Sequence, residues 1–255
     1  MPAVIFDGKK LAFEITKELE MKVAGLNKKK GRRLKLVTIY NPDHEPSRVY
    51  SNIKQKKAEE IGVEFEKVPV GGMTVEQISR IIGKLNLDLS VDGVMVQLPL
   101  GTANDKELID QIDLKKDVDG LRANSVIVPA TVRAVLKILG ELSEQNNSKV
   151  LVVGNLGLVG ARLQKELGCE GMDKHNFDSE KIKSFDVVIG CTGEAGLIKA
   201  EMVKQGVVAI DVGYPVGDFE PDVADSASFL TPVPGGVGPV TVAMLFANLV
   251  DLVSD

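Results

Sequence analysis

The chain has 255 residues, room for one large domain or two modest ones. Lys plus Arg number 31 and Asp plus Glu 36, a net charge of −5, which excludes the basic footprint that nucleic acid or an anionic membrane requires. Apolar residues at 44% exclude wholesale disorder, while 4% aromatics and no Trp demand a core of Val, Ile, Leu and Ala, the make-up of an α/β protein with buried parallel strands.

In chain order, the N-terminus shows no basic stretch followed by an apolar run, so no secretory signal is expected. Leu34–Tyr40 reads as a strand and Glu45–Ile61 as a helix with Val49, Ile53, Ala58 and Ile61 on one face. Val63–Val70 is the next strand, and Thr74 with Glu76 and Gln77 opens a helix through Leu85. Asp92–Leu98 reads as a buried strand stopped by Pro99, Asp105–Ile112 as a short helix, and Lys115–Leu121 as a polar loop. Val132, Val135, Leu136, Leu139 and Leu142 mark a long amphipathic helix from Thr131, with a domain boundary near Pro129. Glu144–Ser148 is a solvated break, followed by strands at Lys149–Gly154, Asp186–Gly190 and Val207–Val212, and a final helix at Val242–Leu252. The alternation predicts parallel sheets with right-handed crossovers. No segment approaches the roughly 20 apolar residues of a membrane span, and two cysteines, Cys169 and Cys191, make no disulfide framework. The expectation is a soluble, cytoplasmic protein.

Five segments carry possible chemistry. Gly154, Gly157 and Gly160 lie between a strand and a helix, where glycines allow a tight turn and a helix N-terminus offers N–H groups to a phosphate. Their G-x-x-G-x-x-G spacing departs from the usual fingerprint, so a plain glycine-rich turn stays open. Tyr50 and Lys54 stand four apart on one helical face, where a desolvated lysine can exchange protons near neutral pH. The alternative is a solvated face shared with Lys56 and Lys57. Gln97 ends a strand, where open parallel sheets bind ligands, or else simply caps it. Asp117 and Asp119 can grip an amino-amide edge or form an Asx turn before Gly120. Thr231–Thr241, rich in Pro and Gly, makes a rigid loop whose bare backbone can meet a flat ligand, or serves only as a turn. His44 and His175 lie far apart with no metal-ligand spacing, Cys191 follows a buried strand as a small core residue would, and neither a nucleophile elbow nor a P-loop occurs.

Taken together, PSRVYSNIKQKKAEEIGV, DGVMVQLPLG, KKDVDG, DVVIGCTG and TPVPGGVGPVTVAML resemble, in order and over nearly the whole chain, the bifunctional methylenetetrahydrofolate dehydrogenase/methenyltetrahydrofolate cyclohydrolase family. The resemblance implies two α/β domains with a cleft between them: an N-terminal folate and catalytic domain over 1–128, with the helix at 240–255 packing back on it, and a Rossmann-like NAD(P)-binding domain over 129–239. It implies Lys54 as the catalytic lysine, Tyr50 as the ring that stacks on and positions the folate, Gln97 as the group that orients Lys54, and Asp119 as the pterin ligand. Pro234, Gly235 and Gly236 would line the folate site. Thr131, Gly154, Asn155, Leu156, Gly157, Gly160, Thr192 and Gly193 would meet NADP or NAD. Tetrahydrofolate derivatives are the implied substrates and a homodimer the implied assembly, with no metal, nucleic acid or membrane.

The sequence departs from the family on the cofactor side. The usual Pro-Cys-Thr-Pro reads Pro129, Ala130, Thr131, Val132, and the usual Gly-Arg-Ser reads Gly154, Asn155, Leu156. The stretch from Arg162 to Asp186 is also short. Asp173 falls about twenty residues after Gly154, where a dinucleotide fold places the acid that binds an unphosphorylated ribose. These features predict weak, shifted or absent NADP preference, with Lys174 and Arg162 as the cations that could reverse it. A cyclohydrolase with a degenerate cofactor domain, and a non-enzymatic folate-binding module, are the competing readings.

Overall fold

The computed structural model describes residues 3–142 and 148–254. The solvated break at 144–148 therefore lies, Ser148 apart, outside the described residues. In chain order the elements are β1 (Val4–Ile5), α1 (Gly8–Lys30), β2 (Lys35–Tyr40), α2 (Glu45–Ile61), β3 (Glu64–Pro69), α3 (Val75–Leu87), β4 (Gly93–Gln97), α4 (Asp105–Ile109) and α5 (Ala130–Gly140). There follow β5 (Val150–Val153), α6 (Leu158–Leu167), β6 (Glu170–Met172), α7 (Ser179–Ile182), β7 (Val187–Gly190), β8 (Val207–Asp211), α8 (Val223–Ser226), β9 (Ala227–Leu230) and α9 (Val237–Ser254).

The chain divides into two compact units, one of Phe13–Ala130 with Val242–Asp255, the other of Met1–Ala12 with Thr131–Thr241. The limits expected from sequence kept residues 1–128 together. The first twelve residues group elsewhere because β1 adds in parallel to β9, Val4 opposite Phe229 and Ile5 opposite Leu230.

In the first unit β3, β2 and β4 form a parallel sheet in that order. Val37, Ile39, Val94 and Val96 pack on Ile78 and Ile82 of α3 and Leu108 and Ile109 of α4. Thr74 caps α3 with a complete capping box to Gln77, as its sequence predicts. Gly93 has no room for a side chain: a Cβ would lie 2.4 Å from Val118 Cγ1 and 2.9 Å from Leu249 Cδ1. That close approach seats α9 on the sheet, where Asn248 Nδ2 donates to Val118 O at 2.9 Å and Val128 O at 3.1 Å.

Helix α9 corrects one expectation. Over its 18 residues, with mean hydropathy 1.7, it is long and apolar enough to cross a membrane by length and composition. It is also 61% buried within the protein, as a core helix is. A second correction concerns α2. Val49 and Ile53, expected on its inner face, are exposed, and the buried stripe is Ser47, Ser51, Lys54, Ala58 and Ile61. Helix α5 runs eleven residues and buries Val132, Ala134, Val135 and Ile138, whereas Leu136 and Leu139 are only partly covered and Leu142 lies past its end.

The second unit holds a six-stranded parallel sheet in the order β1-β9-β8-β7-β5-β6. Strands run outward from β5 in both directions, so the order reverses between β5 and β7. Open α/β sheets bind ligands outside the carboxyl ends of strands at such a reversal. Leu151, Val153, Val188 and Ala209 form its core with Phe185, Ile198 and Val223.

Candidate active site and cofactor pocket

The first site is built from α2, the end of β4 and the loop that follows it, all in one unit. His44 caps α2 by accepting from Ser47 N at 3.3 Å, and Gly62 ends it in the left-handed region at φ 80°. Three turns of buried small residues press this helix close to the sheet. Lys54 is thereby only 7% exposed. Its Nζ donates to Gln97 Oε1 at 2.6 Å and stands 5.9 Å from the centre of the Tyr50 ring. Burial lowers the Lys54 pKa from 10.5 to about 8, and the Asp119 carboxylate pulls it part of the way back.

Gln97 is the last residue of β4, and its orientation is fixed. Its Nε2 donates to Leu98 O at 3.3 Å, and Ser47 Oγ donates to the same carbonyl at 3.1 Å. The amide oxygen is therefore the end that faces the lysine. Asn41 Nδ2 donates to Leu100 O at 3.1 Å, so the chain entering α2 is tied twice to the chain leaving β4.

The two acids of the Lys115–Leu121 segment separate. Asp117 is buried and accepts from Gly120 N at 3.1 Å and Arg122 N at 3.3 Å, which makes it the turn former. Asp119 is the acid that feels Lys54, which pulls its pKa down while burial pushes it up more strongly. Tyr50, Lys54, Gln97 and Asp119 thus form one cluster: an aromatic ring, an amine near its titration point, an amide that accepts from it and a carboxylate. Pro234, Gly235 and Gly236 belong to the other unit, in turns that lead straight into α9, with Gly235 at φ 109°. There the backbone of Gly236 lies so close to Gly8 that a Cβ on Gly8 would overlap its oxygen.

The second site is a pocket of about 460 Å³ at the strand-order reversal of the six-stranded sheet. Gly154, Leu156, Gly157, Asp173, Lys174, Cys191, Thr192 and Glu194 are among its lining residues. The three glycines have distinct duties. Gly154 turns at φ 97° with Cys191 O 2.6 Å from where a Cβ would sit, and Gly160 lets α6 approach Gly154 O. Gly157 lines the pocket, has no such neighbour under 3.5 Å and caps α6 without a side-chain bond, so the first turn of that helix carries no side-chain cap. That cradle fits a dinucleotide pyrophosphate.

Other expected cofactor residues behave differently. Asn155 does not line the pocket; its Nδ2 donates to Gln164 Oε1 at 3.0 Å, packed where Gly171 leaves space. Thr192 lines the pocket, yet its N–H and hydroxyl both donate to Asp218, as does Gly193 N at 3.1 Å. Thr131 is the second residue of α5 and, like Gly160 and Gly193, is not among the lining residues. Cys191 donates to Val153 O at 3.2 Å, and burial pushes its thiol up to about 12, which leaves it inert as a nucleophile. Asp218 and the equally buried Asp211, which accepts from the N–H groups of Gly213, Asp218 and Phe219, are the residues sequence reasoning missed. Their signal was faint: one acid at the end of β8 and one in the glycine-bearing loop that follows it. Among the described residues no group of three or more His, Cys, Asp and Glu could hold a metal ion.

Comparison with known proteins decides the family. Residues 6–119 match the model of the tetrahydrofolate dehydrogenase/cyclohydrolase catalytic domain, and residues 129–255 that of its NAD(P)-binding domain. The chain belongs to the tetrahydrofolate dehydrogenase/cyclohydrolase family. It is 33% identical to the bifunctional protein FolD of Listeria innocua, over 96% of this chain and 95% of that one. The FolD structure from Campylobacter jejuni superposes with a TM-score of 0.90 at 30% identity, over 99% of each chain. That of Trypanosoma brucei, complexed with NADP and an inhibitor, gives 0.90 at 31% identity, over 100% of this chain and 98% of that one. As a member of this family the chain is a bifunctional enzyme: it oxidises methylenetetrahydrofolate with NAD(P) and hydrolyses the methenyl product to formyltetrahydrofolate. The reading of a cyclohydrolase with a degenerate cofactor domain yields to this one.

Proposed function

We propose that the hydrolytic step is run by Lys54, with Gln97 as its positioning partner, Tyr50 as the stacking ring and Asp119 as the ligand of the pterin. The observation that carries this reading is the buried Lys54–Gln97 contact, which holds an amine titrating at about 8 against a fixed acceptor. A neutral Lys54 takes a proton from water as the water oxygen bonds to the methenyl carbon. It returns that proton to the folate nitrogen as the carbon–nitrogen bond breaks, and the remaining hydroxyl proton leaves to solvent as the formyl group forms. Bound in the second pocket, the nicotinamide supplies the hydride acceptor for the preceding oxidation, and the residues there bind and orient it. Gly154, Gly157 and the first turn of α6 would hold its pyrophosphate.

The resemblance also supports a homodimer working in the cytoplasm. The net charge of −5 supports small-molecule rather than nucleic-acid partners.

Lys54→Gln is the direct test, since it removes the titratable amine and keeps a polar side chain one atom shorter. Methenyltetrahydrofolate hydrolysis, followed by absorbance, should fall by at least a hundredfold while NADH binding is unchanged. Near-native hydrolysis by a folded variant would remove Lys54 from this role.

A further inference from the structure

We propose that the dinucleotide pocket selects NAD over NADP, with Asp173 as the specificity-determining residue. The inference rests on reading that pocket as the cofactor site. NADP differs from NAD by a phosphate on the adenosine ribose, so the question is which charges the pocket presents where that ribose lies. In a parallel α/β sheet of this kind the ribose sits at the end of the strand beside the glycine turn. Here that strand is β6, paired in parallel to β5, with Val153 opposite Met172. Gly154 N donates to Met172 O at 2.7 Å, which holds the glycine turn against the end of β6. Asp173 is the next residue and lines the pocket.

Its carboxylate is held in place. Asp173 Oδ1 accepts from His175 N at 2.6 Å, and Asp173 N donates to Asn176 Oδ1 at 2.7 Å, so a tight turn fixes the acid. A carboxylate there accepts hydrogen bonds from two ribose hydroxyls, whereas a ribose phosphate would bring a second anion against it.

The cations that could reverse this preference are few. Arg162 is engaged: its Nε donates to Glu166 Oε1 at 2.7 Å, one turn along α6, and it does not line the pocket. Asn155 is turned inward onto Gln164, and Leu156 is 67% exposed with no donor in its side chain. Lys174 lines the pocket as an exposed ammonium, but Asp173 and Glu194 line it too. Among the described residues lining the pocket, the acidic and basic side chains are thus two carboxylic acids against one lysine.

The test is binding of NADH and NADPH to the full chain without folate, read by reduced-nicotinamide fluorescence and by calorimetry. NADH should bind at least tenfold more tightly than NADPH. Asp173→Asn keeps the acceptor for His175 N and removes the charge. It should narrow the gap to about threefold or less, chiefly by tightening NADPH. Should that variant fail to fold, Asp173→Ser carries the same comparison. Lys174→Ala should weaken NADPH by a larger factor than NADH. Wild-type protein binding NADPH as tightly as NADH, or a gap unmoved by Asp173→Asn, overturns the proposal. Binding of neither dinucleotide overturns the pocket reading beneath it, a failure the wild-type titration alone separates from loss of selectivity.

Discussion

Lys54 shows how function and stability pull apart at a single side chain. Its amine titrates at about 8 in the fold and at 10.5 in the unfolded chain. Below pH 8 both states carry the proton, and burying the charge costs about 3 kcal/mol, from 1.36 kcal/mol per pKa unit. Between about pH 8 and 10.5 the unfolded chain still holds a proton that the folded state has released, so stability rises with pH and the penalty fades. Lys54→Met should therefore be about 2 kcal/mol more stable than wild type at pH 7, less than the full penalty because Gln97 loses its partner. The gain should shrink steadily as urea unfolding is repeated from pH 8 towards 10.5. A variant less stable at pH 7, or a pH-independent difference, would contradict this account. Sequence spacing alone placed Tyr50 and Lys54 on one face but could not choose between a buried amine and a solvated one. The choice depends on Ser47 and Ser51, hydroxyl residues that read as polar surface yet pack inside because each finds a carbonyl: Leu98 O for Ser47, Ser47 O for Ser51. For the same reason Val49 and Ile53, which read with Ala58 and Ile61 as one apolar face, lie exposed.

At the scale of elements, α2 and β4 are coupled by the Leu98 carbonyl. It accepts from Ser47 Oγ on one side and Gln97 Nε2 on the other, while His44 Nδ1 lies 2.8 Å from the same hydroxyl. Without the hydroxyl the carbonyl and amide are free to turn, and an amide nitrogen facing Lys54 would disfavour the ammonium. Ser47→Ala should accordingly lower the Lys54 titration midpoint by about half a unit or more, read by nitrogen-detected NMR in the ligand-free protein. The midpoint of hydrolysis against pH should move the same way, and Ser47→Thr should restore both. A lowered melting temperature with an unmoved midpoint would mean that Ser47 only braces the helix. Most long elements were legible from sequence, because α2, α3 and the strands Lys35–Tyr40 and Val207–Asp211 carry strong periodic or apolar patterns. The strands β1, β6 and β9, of two to four residues, were not. Each is too short to show a period and exists because a longer neighbour offers a ladder. Helix α1 was missed as well, since its buried stripe of Ala12, Thr16, Leu19 and Val23 includes a hydroxyl and is surrounded by lysines and glutamates.

Across the whole molecule, the two candidate sites draw their side chains from different units. Tyr50, Lys54, Gln97 and Asp119 belong to the unit of Phe13–Ala130, and every residue lining the dinucleotide pocket belongs to that of Thr131–Thr241. This division was legible in part, since the folate-side motifs resemble those of the family, while on the cofactor side Asn155 and Thr192 are turned to internal partners no spacing rule reveals. Asp119→Ala should exploit that separation. Losing the carboxylate proposed to take paired hydrogen bonds from the pterin should cost about 2–3 kcal/mol of folate affinity. The same change removes the charge that raises the Lys54 pKa, so the lysine should titrate below its wild-type value of about 8. Affinity for NADH should stay within about twofold, because Asp119 is not among the residues that line the pocket. Calorimetry with a tetrahydrofolate ligand and with NADH, on one preparation, reads both quantities. Equal losses for the two ligands would show that Asp119 holds the Asp117–Gly120 turn rather than the substrate, and would return the pterin contact to some other group.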